Sequence, residues 1–341
     1  MDSAPLTIAM VGGIPPVMGG GGLEVQIDRT QKALRAAGHR VVGLESLERD
    51  EPFDVLHGFH AEPLLWHMLP HWTRNTAPLV VSPVLPVAPG AEARNLALMA
   101  RLPTPVTTAR MRRAVFRAAD AVIALTEFER SLIVRTFGGP AQRTWIIGNG
   151  VDTATPEPTD VSLPTLSARP VAVMVGNISR RKRQQEVLDA GVGRHSLVLA
   201  GEFLGNAEER ATFETAVARN GAHWLGQVPP GAIPRLLRAS SALVLLSRAE
   251  GLSLAVLEAL ATGTPVIASD LPAHRELARR YPGWVRVVRD ASEVAAALDG
   301  ITAQPPSGPP PTVPSWDEVG QRLLHLYREI LRHPRRDAGP P

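Results

Sequence analysis

The sequence predicts an α/β protein of two domains, each a Rossmann-like layer of parallel strands. Short apolar runs alternate with amphipathic stretches along the whole chain, and this pattern restarts after a Pro-rich segment near the middle. A length of 341 residues, 44% of them hydrophobic, suffices for two separate cores. Runs such as Ala242 to Leu246 are apolar throughout, as a strand covered on both faces of a parallel sheet must be.

In the first half, strands are expected at 7–11, 41–44, 55–57, 79–82, 121–125 and 144–147. A helix over 23–37 is closed by Gly38, and an arginine-rich helix covers 108–119. In the second half, strands are expected at 171–175, 196–200, 223–225, 242–246, 265–268 and 285–288. Pro156, Pro158, Pro164 and Pro170 mark 153–170 as a linker, because proline continues neither a helix nor a central strand. The expected domains are therefore 1–152 and 171–315. A second Pro-rich run, 304–314, precedes an amphipathic helix over 316–332, and the tail beyond is expected to fray.

Composition narrows the classes. The net charge of +3 is modest, and the basic pI of 9.9 comes from arginine, since only Lys32 and Lys182 of the 36 basic residues are lysine. This is no nucleic-acid signature. The absence of cysteine leaves neither a disulfide frame nor a zinc–thiolate site. No basic n-region precedes the first apolar run, and no stretch reaches the roughly 18 apolar residues of a membrane span. A cytoplasmic protein, soluble or peripheral at the inner membrane face, is expected.

The chemistry concentrates between Ala242 and Glu276, which reads as strand, loop, helix and second strand. A helix beginning near Gly251 would turn the N–H groups of Leu252, Ser253 and Leu254 toward the strand ends, where anions bind. Glu250 would reach past that helix start toward a polyhydroxylated group, and Glu258 toward a ribose diol. Two glutamates at this spacing also occur on solvated helix faces. The segment EGLSLAVLEALATGTPVIASD resembles the nucleotide-sugar motif of retaining glycosyltransferases of family four, EGFGLPxLEAMAxGxPVIAS. The resemblance implies that Glu250 contacts the donor sugar, that Glu258 holds the ribose, and that the Ser253 and Leu254 amides bind the diphosphate.

Further segments extend the resemblance over roughly residues 8 to 280. The glycines 19–22 before a helix, in GGIPPVMGGGGLEVQ, resemble the family's opening; Gly21 and Gly22 would abut the donor phosphates and Glu24 would face the acceptor. In VGNISRRKRQQEVLDA, Arg181, Lys182 and Arg183 are expected to follow a strand end and begin a helix; the segment resembles the VGRxxxxKG pattern, which implies that Lys182 is the phosphate lysine. Asn177 stands where the family has arginine, and Arg181 would supply the second cation. IIGNGVD resembles the PNGVD that ends the N-terminal domain, and HWLGQVPPG would set the backbone of Gln227 and Val228 beside the nucleobase.

His57, His60, His67 and His71 suggest a metal cluster, but Pro70 is expected to break the helix between the last two and no carboxylates share the spacing. HGFH resembles the family's HxH, Ser82 stands where a second active-site histidine is expected, and His60 is the substitute. Arg110, Arg112, Arg113 and Arg117 on one helix read as a solvated face or as a patch for anionic lipid.

The resemblance implies a GT-B architecture, with two Rossmann-like domains facing across a cleft and the last helix returning to the first domain. It implies retaining transfer of a sugar from a nucleotide diphosphate sugar to a hydroxyl of a glycan, glycolipid or small-molecule acceptor, in cell-surface polysaccharide or glycolipid synthesis. Glu250, Lys182, Arg181 and His60 would be catalytic; Gly21, Gly22, Asn177, Gln227, Val228, Gly251, Ser253, Leu254 and Glu258 would hold the donor. No cofactor is expected, and the lack of a DxD triplet argues against a metal. The alternatives are an inactive nucleotide-sugar-binding subunit, motivated by Asn177 and Ser82, and an epimerase or phosphorylase on the same fold.

Overall fold

The computed structural model describes residues 4–12, 21–48, 51–60, 62–72, 77–86, 95–96, 98–99, 107–152 and 170–333. The linker residues 153–169, Gly19, Gly20 and the tail from 334 lie outside them. The chain divides into two compact units, one of Met1–Gly150 with Pro314–Pro341 and one of Val151–Val313.

The first unit runs β1 (Thr7–Gly12), α1 (Gly22–Ala36), β2 (Arg40–Gly43), β3 (Val55–Phe59), α2 (Glu62–Trp72), β4 (Leu79–Ser82), α3 (Thr108–Ala118), β5 (Ala121–Ala124), α4 (Glu127–Ser131) and β6 (Thr144–Ile146). Its six strands are parallel in the order β2-β1-β3-β4-β5-β6. β3, β4 and β5 are buried along their whole length, which is why the sequence offers them apolar residues without alternation. Helices cover the sheet, and Phe116 and Phe137 meet edge to face, their centroids 5.7 Å apart.

The second unit runs β7 (Val171–Val175), α5 (Gln184–Ala190), β8 (Ser196–Ala200), α6 (Ala207–Arg219), β9 (His223–Trp224), α7 (Ile233–Arg238), β10 (Ala242–Leu245), α8 (Leu254–Ala261), β11 (Val266–Ser269), α9 (Pro272–Arg280), β12 (Val285–Val288) and α10 (Val294–Ala303). Its order is β12-β11-β10-β7-β8-β9, again parallel throughout. The two halves are thus not one plan repeated: the strand order reverses between β1 and β3 in the first unit and between β7 and β10 in the second.

The final helix, α11 (Trp316–Arg332), belongs to the first unit. Ser315 caps it reciprocally with Glu318, and its buried stripe of Trp316, Val319, Leu323, Leu326 and Tyr327 has the 3.6-residue period of an amphipathic helix. Gly320 lets it approach α1 at Ala33. The Tyr327 hydroxyl reaches His57 Nδ1 at 2.7 Å, 270 residues earlier in the chain.

Three local expectations are corrected. α8 begins at Leu254 rather than near Gly251, because Ser253 keeps an extended backbone as N-cap. Arg181 and Lys182 lie in a turn before α5, whose N-cap Arg183 is left-handed, and do not open the helix. α2 runs through Pro70 to Trp72; near a helix end the missing proline N–H costs only one hydrogen bond.

Candidate functional site

In open parallel sheets ligands bind beyond the carboxyl ends of the strands, where the strand order reverses. In the second unit that point lies between β7 and β10, and the loops leaving these strands carry the charged residues singled out by sequence. Lys182 Nζ donates to Glu250 Oε1 at 2.5 Å, and Arg181 Nη1 donates to the same oxygen at 3.1 Å and to the Ala249 carbonyl at 3.0 Å. The Arg248 N–H donates to the Arg181 carbonyl at 2.9 Å, pinning the two loops together. Side-chain exposures of 9% for Glu250 and 13% for Lys182, against 49% for Arg181, make this a sheltered pair with an outer guanidinium. Burial pushes the Glu250 carboxyl up, but Lys182, the Ser247 hydroxyl and Arg181 outweigh it and hold its pKa below the ordinary value.

Beside this pair starts α8. No acidic residue occupies its first turn and the Ser253 side chain makes no capping bond, so its leading amides, from Leu254 onward, are not taken by a cap. Gly251 is half-buried in the turn between Glu250 and the helix. Glu258 is half-buried on the fifth residue of α8 and is engaged in interactions of its own. Asn177 follows Gly176 at the end of β7, and its carbonyl accepts from Gln184 Nε2 at 3.0 Å. Gly201 is required here: a Cβ would lie 2.1 Å from the Gly176 carbonyl oxygen, at a φ of +156°. Gln227 is exposed and Val228 half-buried in the turn after β9.

Sequence reasoning missed the supports. Gln184 clamps the loop from Gly176 to Ser179, accepting from the Ser179 N–H at 3.2 Å. The Ser269 hydroxyl donates to the Ser247 carbonyl at 2.7 Å, and His274 Nδ1 donates to the Ser269 carbonyl at 2.8 Å, tying the ends of β10 and β11 below Glu250. These are ordinary polar residues at no diagnostic spacing, and only their burial exposes them.

In the first unit the residues separate into a structural set and an open one. His57 is fully buried between Tyr327 and Ser82, its Nε2 2.8 Å from Ser82 Oγ, and burial lowers its pKa to about 3. Ser82 is therefore a partner of His57 rather than a free group. His60, one residue past β3, has an exposed imidazole and a left-handed backbone with φ of 46°; its Nδ1 donates to the Pro83 carbonyl at 2.9 Å. Glu62 is 1% exposed and pairs with Arg112 Nε at 3.5 Å. Glu129, equally buried, accepts from the N–H of Leu85 and of Leu125 at 2.7 and 2.6 Å; desolvation pushes it up to about 7.

Gly21 is the N-cap of α1, Gly22 its first residue, and Glu24 Oε2 accepts from the Gly21 N–H at 2.7 Å, so Glu24 is turned onto its own helix. The arginine patch is also corrected: Arg110 and Arg117 are exposed, but Arg112 is drawn inward to Glu62 and Arg113 runs beside Gly138. No group of three or more metal-ligating side chains converges among the described residues. Among them, no helix is long and apolar enough to cross a membrane. The side chain of His71 lies outside the described set.

Comparison with known proteins agrees with the fold. A model described as Glycosyltransferase Family 4 matches residues 43–155, and one described as Glycosyl transferases group 1 matches residues 160–308. The chain is 30% identical over 254 residues to alpha-maltose-1-phosphate synthase of Mycolicibacterium smegmatis, covering 64% of this chain and 65% of that protein. It is 28% identical over 269 residues to D-inositol 3-phosphate glycosyltransferase of Rhodococcus opacus, covering 70% and 60%. The chain thus spans just under two thirds of the length of these curated relatives, 65% and 60%. Among solved structures, sucrose-phosphate synthase from Thermosynechococcus elongatus superposes with a TM-score of 0.74 at 17% identity, covering 96% of this chain and 100% of that one. Anabaena HepE in complex with UDP and glucose superposes with a TM-score of 0.64 at 16% identity, covering 96% and 99%. With two sheets of six parallel strands and two family models in succession, the chain belongs to the family four glycosyltransferases and has the GT-B fold.

Proposed function

We propose that this protein transfers a glycosyl group from a nucleoside diphosphate sugar to a hydroxyl acceptor, with retention at the anomeric carbon. The observation that carries the reading is the Lys182, Arg181 and Glu250 cluster beside the uncapped start of α8. Two cations and a row of backbone amides suit a diphosphate, and a sheltered carboxylate among them suits the hydroxyls of the attached sugar. HepE, whose fold this chain shares, was crystallised with UDP and glucose, which supports the same donor class.

In the proposed reaction the bond between the anomeric carbon and the β-phosphate oxygen breaks as the acceptor oxygen attacks from the same face. The departing phosphate oxygen takes the acceptor proton. Lys182, Arg181 and the α8 amides, from Leu254 onward, stabilise the charge that develops on the diphosphate, while Glu250 orients the sugar. This scheme uses no metal step. Asn177, Gln227 and Val228 would contact the nucleoside, and Glu258 its ribose. We place the product among cell-surface glycans or glycolipids made on the cytoplasmic side.

A thermal-shift screen against UDP, GDP, ADP and their sugars tests the donor, because a ligand bound only by the folded state raises its stability. One nucleotide series should stabilise the protein, and its sugar should be turned over. Glu250→Ala should lower that turnover about 10²-fold or more. Turnover that survives unchanged in the variant sinks the assignment, and a wild-type protein that binds but never splits a donor is an inactive binding subunit.

A further inference from the structure

We infer that His274 is a positioning residue of the donor site, acting through Ser269 and Ser247 to hold the Glu250 carboxylate in place once a diphosphate draws Lys182 and Arg181 away from it. This rests on the transferase reading above and deepens it by naming what keeps the sugar-facing carboxylate oriented.

Glu250 ends a short loop leaving β10, and the loop between β7 and α5 steadies it at three successive residues. The Arg248 N–H donates to the Arg181 carbonyl at 2.9 Å, Arg181 Nη1 to the Ala249 carbonyl at 3.0 Å, and Lys182 Nζ to Glu250 itself at 2.5 Å. A bound diphosphate competes for both of these side chains, so the contacts they make are the ones that binding would loosen. The hold from β11 is of another kind. Ser269 Oγ donates to the Ser247 carbonyl at 2.7 Å, and Ser269 is kept in register by its pairing with Val288 on β12. Neither partner is a cation that a phosphate could recruit.

His274 sets the direction of that hydroxyl. It is the third residue of α9 and 1% exposed, with Nδ1 2.8 Å from the Ser269 carbonyl and 3.4 Å from Ser269 Oγ. A carbonyl only accepts, so Nδ1 carries the proton; the same N–H faces the lone pairs of Oγ and leaves the hydroxyl proton for Ser247. Ser247 then joins the relay to the carboxylate, since its own hydroxyl is close enough to Glu250 to help hold that pKa down. Burial lowers the His274 pKa; the Ser269 carbonyl and the Glu250 charge oppose this and Lys182 adds to it, so the imidazole is in electrostatic reach of both members of the sheltered pair. Kept neutral, it does not compete with Lys182 for the carboxylate. Among the described residues its Nε2 has no hydrogen-bond partner. An apolar side chain would fill the space without stranding a buried nitrogen, and packing alone therefore does not account for a histidine here.

The test uses the full chain with the sugar nucleotide that the nucleotide screen identifies. His274→Leu keeps most of the volume and removes the N–H, His274→Asn keeps a donor near the Nδ1 position, and Ser269→Ala cuts the next link. His274→Leu and Ser269→Ala should each lower kcat for the sugar nucleotide about tenfold, while affinity for the bare nucleoside diphosphate, read by isothermal titration, stays within about twofold. His274→Asn should recover most of the lost kcat. In a Glu250→Gln background the loss caused by His274→Leu should vanish, as it must when one residue acts through the other. If His274→Leu does not fold, Ser269→Ala and its cycle with Glu250→Gln carry the same prediction. Unchanged kcat in a folded variant, diphosphate affinity that falls as far as kcat, a loss that persists in full in the Glu250→Gln background, or a folded His274→Asn that recovers nothing overturns this inference and leaves the donor assignment standing. A wild-type protein that neither binds nor splits any nucleotide sugar defeats the transferase reading itself.

Discussion

Glu250→Gln keeps the volume of the side chain and removes its charge, and it should have opposite effects on binding and on turnover. In the free protein the carboxylate shares one oxygen between Lys182 Nζ at 2.5 Å and Arg181 Nη1 at 3.1 Å, so it competes with any diphosphate for the same two cations. A phosphate oxygen on the far side of Lys182 would sit about 5 Å from that carboxylate. At an effective dielectric of about 20, the repulsion removed is about 3 kcal/mol. Arg181 is half exposed and the solution contains salt, so roughly half of that survives, which corresponds to about tenfold. Isothermal titration at low ionic strength should therefore find the preferred nucleoside diphosphate bound about tenfold more tightly by Glu250→Gln, with the gain shrinking as salt is added. Turnover of the sugar nucleotide should fall by about 10²-fold or more in the same variant, because the sugar loses its orienting carboxylate. Nucleotide affinity that stays level or drops would show that Glu250 does not hold the two cations in competition with the diphosphate.

The first unit allows two further tests. Glu129 is pushed up to about 7 in the folded protein from an ordinary value of 4.5, so the unfolded chain releases this proton first as pH rises. The stability that the protonated carboxyl contributes is present below about pH 4.5 and is lost through the window up to about 7, to a total of about 3 kcal/mol. Relative to Glu129→Met, wild type should therefore become less stable in urea from pH 5 to pH 8, and a constant difference would refute the shift. Tyr327→Phe should cost about 1–3 kcal/mol in thermal unfolding, since it leaves the buried His57 Nδ1 without a partner. A neutral substitution would mean that α11 is held by its apolar stripe alone.

The strands were legible because parallel sheets buried on both faces demand unbroken apolar runs; Val171–Val175 falls where the apolar pattern puts it. Element ends were less so, since they depend on hydrogen bonds rather than on composition: β3 continues to Phe59 because Gly58 and Phe59 find partners in Val81 and Ser82. The difference in strand order between the units is invisible to periodicity, as either order uses the same run of strands and helices. On the donor side, Glu250 and Lys182 could be chosen by motif, but their shared hydrogen bond depends on two loops 68 residues apart. The histidines show the limit most clearly. His57 and His60 are three positions apart, yet one is locked against Tyr327 and Ser82 while the other faces outward, and nothing near them in the chain distinguishes these fates. Glu62 and Glu129 look like surface acids until their burial is seen.

The return of α11 to the first unit has a consequence for biosynthesis. Val151–Val313 is one uninterrupted stretch and can complete its core as soon as it leaves the ribosome. The first unit is begun earlier but finished later: Leu323, Leu326 and Tyr327 are among its most buried side chains, and they are synthesised only after the whole of the second unit. Until then α1 lacks the helix that covers it near Ala33, and His57 lacks its tyrosine. A nascent chain therefore carries an unfinished N-terminal half past a finished C-terminal one, and truncation before Trp316 should impair the older half of the protein, not the younger.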